Sequence, residues 1–315
     1  MTDTLKTGAI DIVAGEADAF GDVVADAMIA AGLKVSHPHP LLADFVEDIW
    51  DLDIPDGDIA RRLIIRVPPS AYAFLFLQYR TSIVSEWTFG SANVPRFSKR
   101  RSAIKVQSGI ITARPMGPLG AIIVRIKPEA WERVVRAPLS NFLDHKIDLH
   151  EVLDKQALAE IEDELAAAPH ADARFALIEE LLFREMRPSH LRTPLMQAAA
   201  RLRFDPALQI RQLASELDIS VRHLSRGFKA TFGTGPKQFA RLARVEKAFA
   251  ARRDGHCWTD IAHACGFADQ AHLIHDFRAI IGAAPEEIFK PPVFRTWVAE
   301  GRLRARPFFN LFVAG

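Results

Sequence analysis

A block of sequence in the C-terminal part of this 315-residue chain occurs twice. Leu213-Ala214-Ser215-Glu216-Leu217-Asp218-Ile219 returns in pattern as Ile261-Ala262-His263-Ala264-Cys265-Gly266-Phe267. Leu224, Phe228, Lys229, Gly233 and Pro236 then return as Leu273, Phe277, Arg278, Gly282 and Pro285. The offset is 48 residues over the first stretch and 49 over the second, so one residue is inserted at the turn between them. Apolar positions at helical spacing on both sides of a short turn specify a helix, a turn and a second helix. The chain must therefore carry two copies of one small helical unit.

The charge distribution separates this region from the rest. Residues 1–189 hold 21 Lys and Arg against 28 Asp and Glu, whereas residues 190–290 hold 15 against 10 and six of the 11 histidines. The last 25 residues add four Arg and one Glu. An acidic half joined to a basic half points to a regulatory or assembly domain coupled to an anion-binding one. With 49% hydrophobic residues the chain has material for two cores, which excludes wholesale disorder. Cys257 and Cys265 are too few for a disulfide framework or a four-cysteine zinc site, and Cys265 takes the place of apolar Leu217, as a core residue does. The N-terminus gathers acids instead of a secretory apolar segment, and no apolar run nears the roughly 20 residues of a membrane helix. The expectation is a soluble, cytoplasmic protein with no membrane partner.

Along the chain, 18–33 has the spacing of one amphipathic helix, broken by His37-Pro38-His39-Pro40. From about 41 to 127 come short segments rich in β-branched and aromatic residues: 63–67, 71–79, 83–89, 103–107, 110–114 and 121–127. Pro68-Pro69, Asn93-Val94-Pro95 and Pro115-Met116-Gly117-Pro118 punctuate them, a rhythm that predicts an antiparallel barrel or sandwich. Pro128 fits the first position of a helix over 129–136, and 155–168 and 171–185 have helical spacing. Leu158, Ile161 and Leu165 share one stripe, as do Phe175, Ile178, Leu182 and Met186. Such stripes pack on the barrel or form a dimerisation seam. Residues 186–189 read as a linker, dividing the chain into 1–187, 188–290 and an apolar extension over 291–315.

In the first repeat, 210–217 is the supporting helix, Asp218-Ile219 the turn, and Ser220 the N-cap of a helix starting near Val221. Val221, Leu224, Phe228 and Phe232 form its buried stripe, while Arg222, Arg226 and Lys229 fall on another face with Ser225 beside them. Helix-turn-helix units read DNA one major-groove segment at a time, and arginine can bond a guanine edge bidentately while lysine more often serves phosphate. In the second repeat, 259–265 supports, Asp269 caps, and a helix runs from Gln270 to Ile281. There Ala271, His275 and Arg278 match Arg222, Arg226 and Lys229. A long helix over about 236–253 joins the units; reading two successive turns on one DNA face needs the recognition helices roughly 34 Å apart.

Residues 205–289 resemble the DNA-binding domain of the AraC/XylS transcription regulators. The resemblance rests on Ile261-Ala262-x-x-Cys265-Gly266-Phe267-x-Asp269-Gln270-x-His272-x-x-x-x-Phe277-Arg278, closed by Gly282-x-x-Pro285. It implies that Arg222, Ser225, Arg226, Gln270, Ala271, His272 and His275 face double-stranded promoter DNA. The family commonly has arginine where this chain has His275, which weakens the base contact expected there. Upstream, Pro128-x-x-Trp131 and Pro138-Leu139-Ser140, with 41–42, 45–50, Pro55-Asp56-Gly57 and 119–153, resemble the cupin-like N-terminal domain of one AraC subgroup. The whole is then α+β: a cupin-like β-barrel with flanking helices, followed by an all-α tandem helix-turn-helix domain.

Other residues admit two readings. Trp50, Tyr72, Phe74, Phe76, Trp87 and Phe89 line an effector pocket or simply fill the barrel, since alternate strand residues are buried in either case. His272 contacts DNA or packs against the preceding turn. His37, His39, His145 and His150 lack a carboxylate at metal-ligand spacing, so no metal or other cofactor is assigned. Arg96-Phe97-Ser98-Lys99-Arg100-Arg101 reads as a solvated basic loop or an anion contact. The extension 291–315, with Phe294, Trp297, Phe308, Phe309 and Phe312, is too apolar to hang free and docks on the long helix or the N-terminal domain. The functional expectation is a sequence-specific, effector-responsive transcription regulator, not an enzyme, with RNA polymerase as partner if it activates and a homodimer as one possible assembly. The rivals are a regulator set by a protein partner or by expression level, and a cupin-type enzyme fused to a DNA-targeting module.

Overall fold

The computed structural model describes residues 32–61, 65–67, 70–81, 83–89, 92–97, 101–104, 110–135, 148–151, 153–186, 193–253, 256–281, 284–288 and 312–313. The N-terminal half is β-rich. In chain order it runs β1 (Leu33–Ser36), β2 (Val46–Ile54), α1 (Gly57–Arg61), β3 (Ile65–Val67), β4 (Ala73–Gln78), β5 (Ile83–Phe89), β6 (Ala92–Phe97), β7 (Arg101–Ile104), β8 (Ile110–Pro115) and β9 (Leu119–Ile126). Then come α2 (Trp131–Val134), α3 (Lys155–Ala167), α4 (Ala171–Glu185) and α5 (Pro194–Phe204). The repeats contribute α6 (Ile210–Glu216), α7 (Val221–Phe232), α8 (Pro236–Arg253), α9 (Trp258–Ala264), α10 (Gln270–Ile281) and α11 (Pro285–Ile288), and β10 (Phe312–Val313) lies near the C-terminus. Among the described residues no helix is long and apolar enough to cross a membrane.

The strands form two five-stranded sheets, ordered β1-β2-β9-β4-β7 and β10-β3-β8-β5-β6, with antiparallel pairing throughout. The expected antiparallel β-structure is present, and strands β2, β9 and β4 of its first sheet are buried on both faces. Alternation along the strands divides the two sides. Ile49, Leu75, Leu77, Ile122, Val124 and Ile126 join one core with the stripes of α3 and α4. Trp50, Leu52, Ile54, Tyr72, Phe74, Leu119 and Ile123 belong to a second core with Ile83 of the other sheet. Leu158, Ile161, Leu165, Phe175, Ile178 and Leu182 are buried on the first side, so these stripes pack within the chain, with Met186 half-buried at the edge.

Several sequence expectations need correction. Asn93-Val94-Pro95 does not end a strand but lies inside β6, where Pro95 pairs opposite Glu86. β6 is the edge strand of its sheet, where a missing N–H leaves no inner ladder bond unmade. Arg96 and Phe97 therefore belong to β6 and Arg101 opens β7, leaving only 98–100 of the supposed basic loop, and those lie outside the described residues. Leu33, expected within a helix over 18–33, instead starts β1, and residues 18–31 of that span lie outside the described residues. Helix α5 was not anticipated, although Thr193 caps it through the Met196 N–H, Pro194 opens it, and Ala198, Ala199 and Leu202 are its buried stripe. Within the apolar extension, Phe312 and Val313 pair with Arg66 and Ile65 of β3, on the N-terminal sheet.

Candidate nucleic-acid interface

Each repeat folds the same way for the same local reasons. In the first, Leu213 and Ala214 of α6 are buried, a four-residue turn follows, and Ser220 caps α7 by accepting the His223 N–H at 3.1 Å. In the second, Ile261 and Ala262 of α9 are buried, the turn has five residues, and Asp269 caps α10 by accepting the His272 N–H at 2.7 Å. The longer turn is the inserted residue. The turns share their hydrogen bonds: the Ile219 N–H donates to Ala214 O at 3.0 Å, and the Phe267 N–H to Ala262 O at 2.9 Å. Both place a left-handed residue at the same repeat position, Asp218 with φ 53° and Gly266 with φ 74°. Aspartate tolerates that conformation and glycine adopts it freely. A Cβ on Gly266 would also lie 2.7 Å from the Ala207 Cβ, so that position excludes a side chain twice over.

Helix α8 sets the distance between the units. Its Phe239 packs into the first unit, 5.2 Å from Phe228 between ring centroids, and its Phe249 stacks on Phe277 of the second at 5.2 Å. Ten residues of helix separate these anchors by about 15 Å. Arg241 adds a polar lock, donating from Nε and Nη2 to Oδ1 of buried Asp276 on α10 at 3.1 and 2.7 Å.

The second helix of each unit buries one stripe and exposes another. Leu224, Phe228 and Phe232 are buried on α7, while Arg222, Arg226 and Lys229 are exposed and Ser225 is half-buried. Val221, expected inside, is exposed, because the first turn of α7 projects beyond the core. On α10, Leu273 and Phe277 are buried, and Gln270, Ala271, His275 and Arg278 are exposed. His272 differs: its Nδ1 accepts the Ala268 N–H at 3.2 Å and its ring meets Phe267 edge-on at 5.5 Å, so it braces the turn. His272 and His275 both flank Asp276, at 3.7 and 3.6 Å. Cys265 is buried, as its place opposite Leu217 predicted.

The effector candidates are partly visible. Trp50 and Tyr72 are buried between the sheets and Phe76 is half-buried against them, whereas the side chains of Trp87 and Phe89 on β5 lie outside the described residues. Beside Trp50 is a polar network that sequence reasoning missed. Asp48 accepts the Trp50 indole N–H at 2.6 Å and pairs bidentately with Arg125, whose Nε lies 2.6 Å away. Burial works against the Arg125 charge, but the Asp48 carboxylate outweighs it and holds the guanidinium above its ordinary pKa. Arg125 also covers the Tyr72 ring at 4.6 Å. From the C-terminal half, Arg203 of α5 donates to the Tyr72 hydroxyl at 3.3 Å and to Glu129 at 2.6 Å. Glu246 of α8 accepts from the Ser70 hydroxyl at 2.5 Å and the Ala71 N–H at 3.2 Å. An open cleft of about 450 Å³, lined by His37, Pro38, Ala43, Val46, Glu47, Asp48 and Lys127, adjoins this network. Among the described residues no group of three His, Cys, Asp or Glu is placed to hold a metal ion.

Two helix-turn-helix units on one rigid connector, each with an exposed second helix, define the C-terminal half as a tandem helix-turn-helix domain. Residues 213–290 match the family described as a helix-turn-helix domain. An AraC-like transcription regulator of Streptomyces lividans is 32% identical over 91 residues, 28% of this chain and 30% of that protein. The transcriptional activator RhaS of Escherichia fergusonii is 34% identical over 86 residues, 27% of this chain and 31% of that protein. Residues 213–290 are thus a helix-turn-helix domain, and this part of the chain is similar to AraC-like regulators. The match spans less than a third of the length of these curated relatives. A crystal structure of ToxT from Vibrio cholerae aligns over 86% of this chain and 99% of its own, with a TM-score of 0.45 and 10% identity.

Proposed function

We propose that the chain is a sequence-specific, DNA-binding transcription regulator whose domain over 188–290 reads two successive major-groove segments of promoter DNA. The observation that carries this reading is the pair of exposed helix faces, Arg222-Ser225-Arg226-Lys229 and Gln270-Ala271-His275-Arg278, held by one helix. Lys229 and Arg278 serve phosphate, and Arg222 and Arg226 serve base edges. His272 acts mainly by bracing its turn. The domain over 1–187 senses an effector through Trp50, Tyr72, Phe76, Trp87 and Phe89 or sets assembly, and the extension over 291–315 fastens the two ends of the chain through β10. RNA polymerase is the partner if the chain activates. A regulator set by a protein partner instead of an effector is the second reading, favoured by the full burial of Trp50 among its neighbours.

Selection of the full chain against randomised duplex DNA at two salt concentrations tests this. Two enriched blocks about one helical turn apart are expected; enrichment of no motif, with steeply salt-dependent binding alone, overturns sequence-specific reading. On the selected site, Arg226→Ala is expected to weaken binding by roughly 1–3 kcal/mol and to relax one position, with His275→Ala costing less. Two arginines in the first unit against Ala271 and His275 in the second make the first unit dominate sequence choice. The reverse order of losses in a binding titration would refute that division.

A further inference from the structure

Among the described residues, Tyr72 connects the interior between the two sheets to the DNA-binding half. Tyr72 belongs to the inter-sheet core with Trp50, Phe74 and Ile123, and its face lies under Arg125. Arg203 of α5 donates to its hydroxyl and lies 5.3 Å from its ring centroid. Its backbone N–H donates to Ser70 Oγ at 3.0 Å, and that same hydroxyl donates to Glu246 of α8. Two helices of the DNA-binding half therefore grip Tyr72, one by the side chain and one through the residue that holds its backbone.

The network continues inward. Arg125 is fixed by Asp48, and Asp48 is also the acceptor for Trp50, the largest buried side chain of the interior. It continues outward to Glu129, held by Arg203 in the turn that precedes α2. Every member from Trp50 to Glu246 is buried or nearly so, where ion pairs and hydrogen bonds are stronger than in water and unmade ones are costly. A shift of the Tyr72 side chain breaks its bond to Arg203, a shift of its backbone breaks its bond to Ser70, which holds Glu246, and a shift of Trp50 breaks its bond to Asp48.

We propose that Tyr72, held between Arg125 and Arg203, is a positioning residue that couples the inter-sheet interior to the DNA-binding domain. A change in interior packing re-sets Arg203 and Glu246, and with them the placement of α5 and α8, the helix that spaces the two recognition helices. The coupling deepens the sensing role proposed above and rests on it only for what occupies the interior.

Hydrogen exchange of the full chain, without effector or DNA, tests the coupling, so its failure leaves the DNA-reading proposal standing. Tyr72→Phe keeps the ring and removes the hydroxyl that accepts from Arg203. Amide exchange is expected to rise about tenfold in α5 and α8 as well as in β2 and β4. Arg203→Gln is expected to do the same from the other side, since coupling is reciprocal. Arg201→Gln, whose Glu216 partner lies within the DNA-binding half, should change α5 and α6 alone. The double variant Tyr72→Phe with Arg203→Gln should go no further than Arg203→Gln alone, which also loses Glu129. Changes confined to the half that carries each substitution, or fully additive in the double variant, overturn the proposal.

Discussion

Asp48→Asn is expected to destabilise the N-terminal domain by roughly 3–5 kcal/mol, the cost of leaving a buried ion without its partner. Arg125 sits on β9 with 2% of its surface exposed, and Asp48 on β2 also has 2%. Asparagine keeps an acceptor for the Trp50 indole but removes the charge that offsets burial of the guanidinium. Water cannot reach Arg125 without opening the end of the inter-sheet core, because Tyr72 and Trp50 cover it at 4.6 and 5.8 Å. Replacing both partners, Asp48→Leu with Arg125→Met, should cost far less than Asp48→Asn alone, since nothing charged is then left behind. Denaturant unfolding of the full chain, with Trp131 as reporter in the same domain, gives the comparison. A single variant within about 1 kcal/mol of the parent, or a double variant as unstable as the single one, would show that the pair is solvated and does not organise this end of the core.

What was legible in the sequence follows from range. The repeat was readable to the residue because a helix-turn-helix unit is built from contacts a few positions apart: Ser220 to His223, Asp269 to His272, and Ala262 to Phe267. The span Gln270 to Ile281 came out as expected, and so did Ile83 to Phe89 in the sheet. Pro95 misled because proline is a breaker only where its N–H is needed, and edge position is a property of the sheet, not of the segment. Asp48, Asp51 and Asp53 all lie on β2. Their partners Arg125, Arg174 and Arg80 lie on β9, on α4 and just beyond β4, so the pairing of these carboxylates, and the burial of Asp48 and Asp51, had no local signature. Glu246 is more distant still, 176 residues from Ser70. The exposed faces of α7 and α10 were visible before the fold; the contacts of Arg203 and Glu246 with the N-terminal half were not.

Packing of the C-terminal half on the N-terminal half is expected to weaken as pH rises from about 5 through 7, by roughly 3 kcal/mol in total. Glu246 is the cause. Burial pushes its carboxyl from an ordinary 4.5 up to about 7, against the opposing pull of Ser70, Arg125, the Ala71 N–H and Arg203. Those are the groups that face it from the turn before β4, from β9 and from α5. Hydrogen bonds from Ser70 and Ala71 favour the charged form, yet removal from water outweighs them. The docked state therefore holds a proton that the undocked state releases. Its advantage is full below 4.5, declines as pH rises, and is gone once pH passes 7. Glu246→Gln keeps an acceptor for Ser70 and cannot titrate. The difference in unfolding temperature between parent and variant should change steadily between pH 5 and 7.5, which cancels the histidines common to both. Parallel profiles over that range would mean that Glu246 stays hydrated and that its contact with Ser70 is not a buried one.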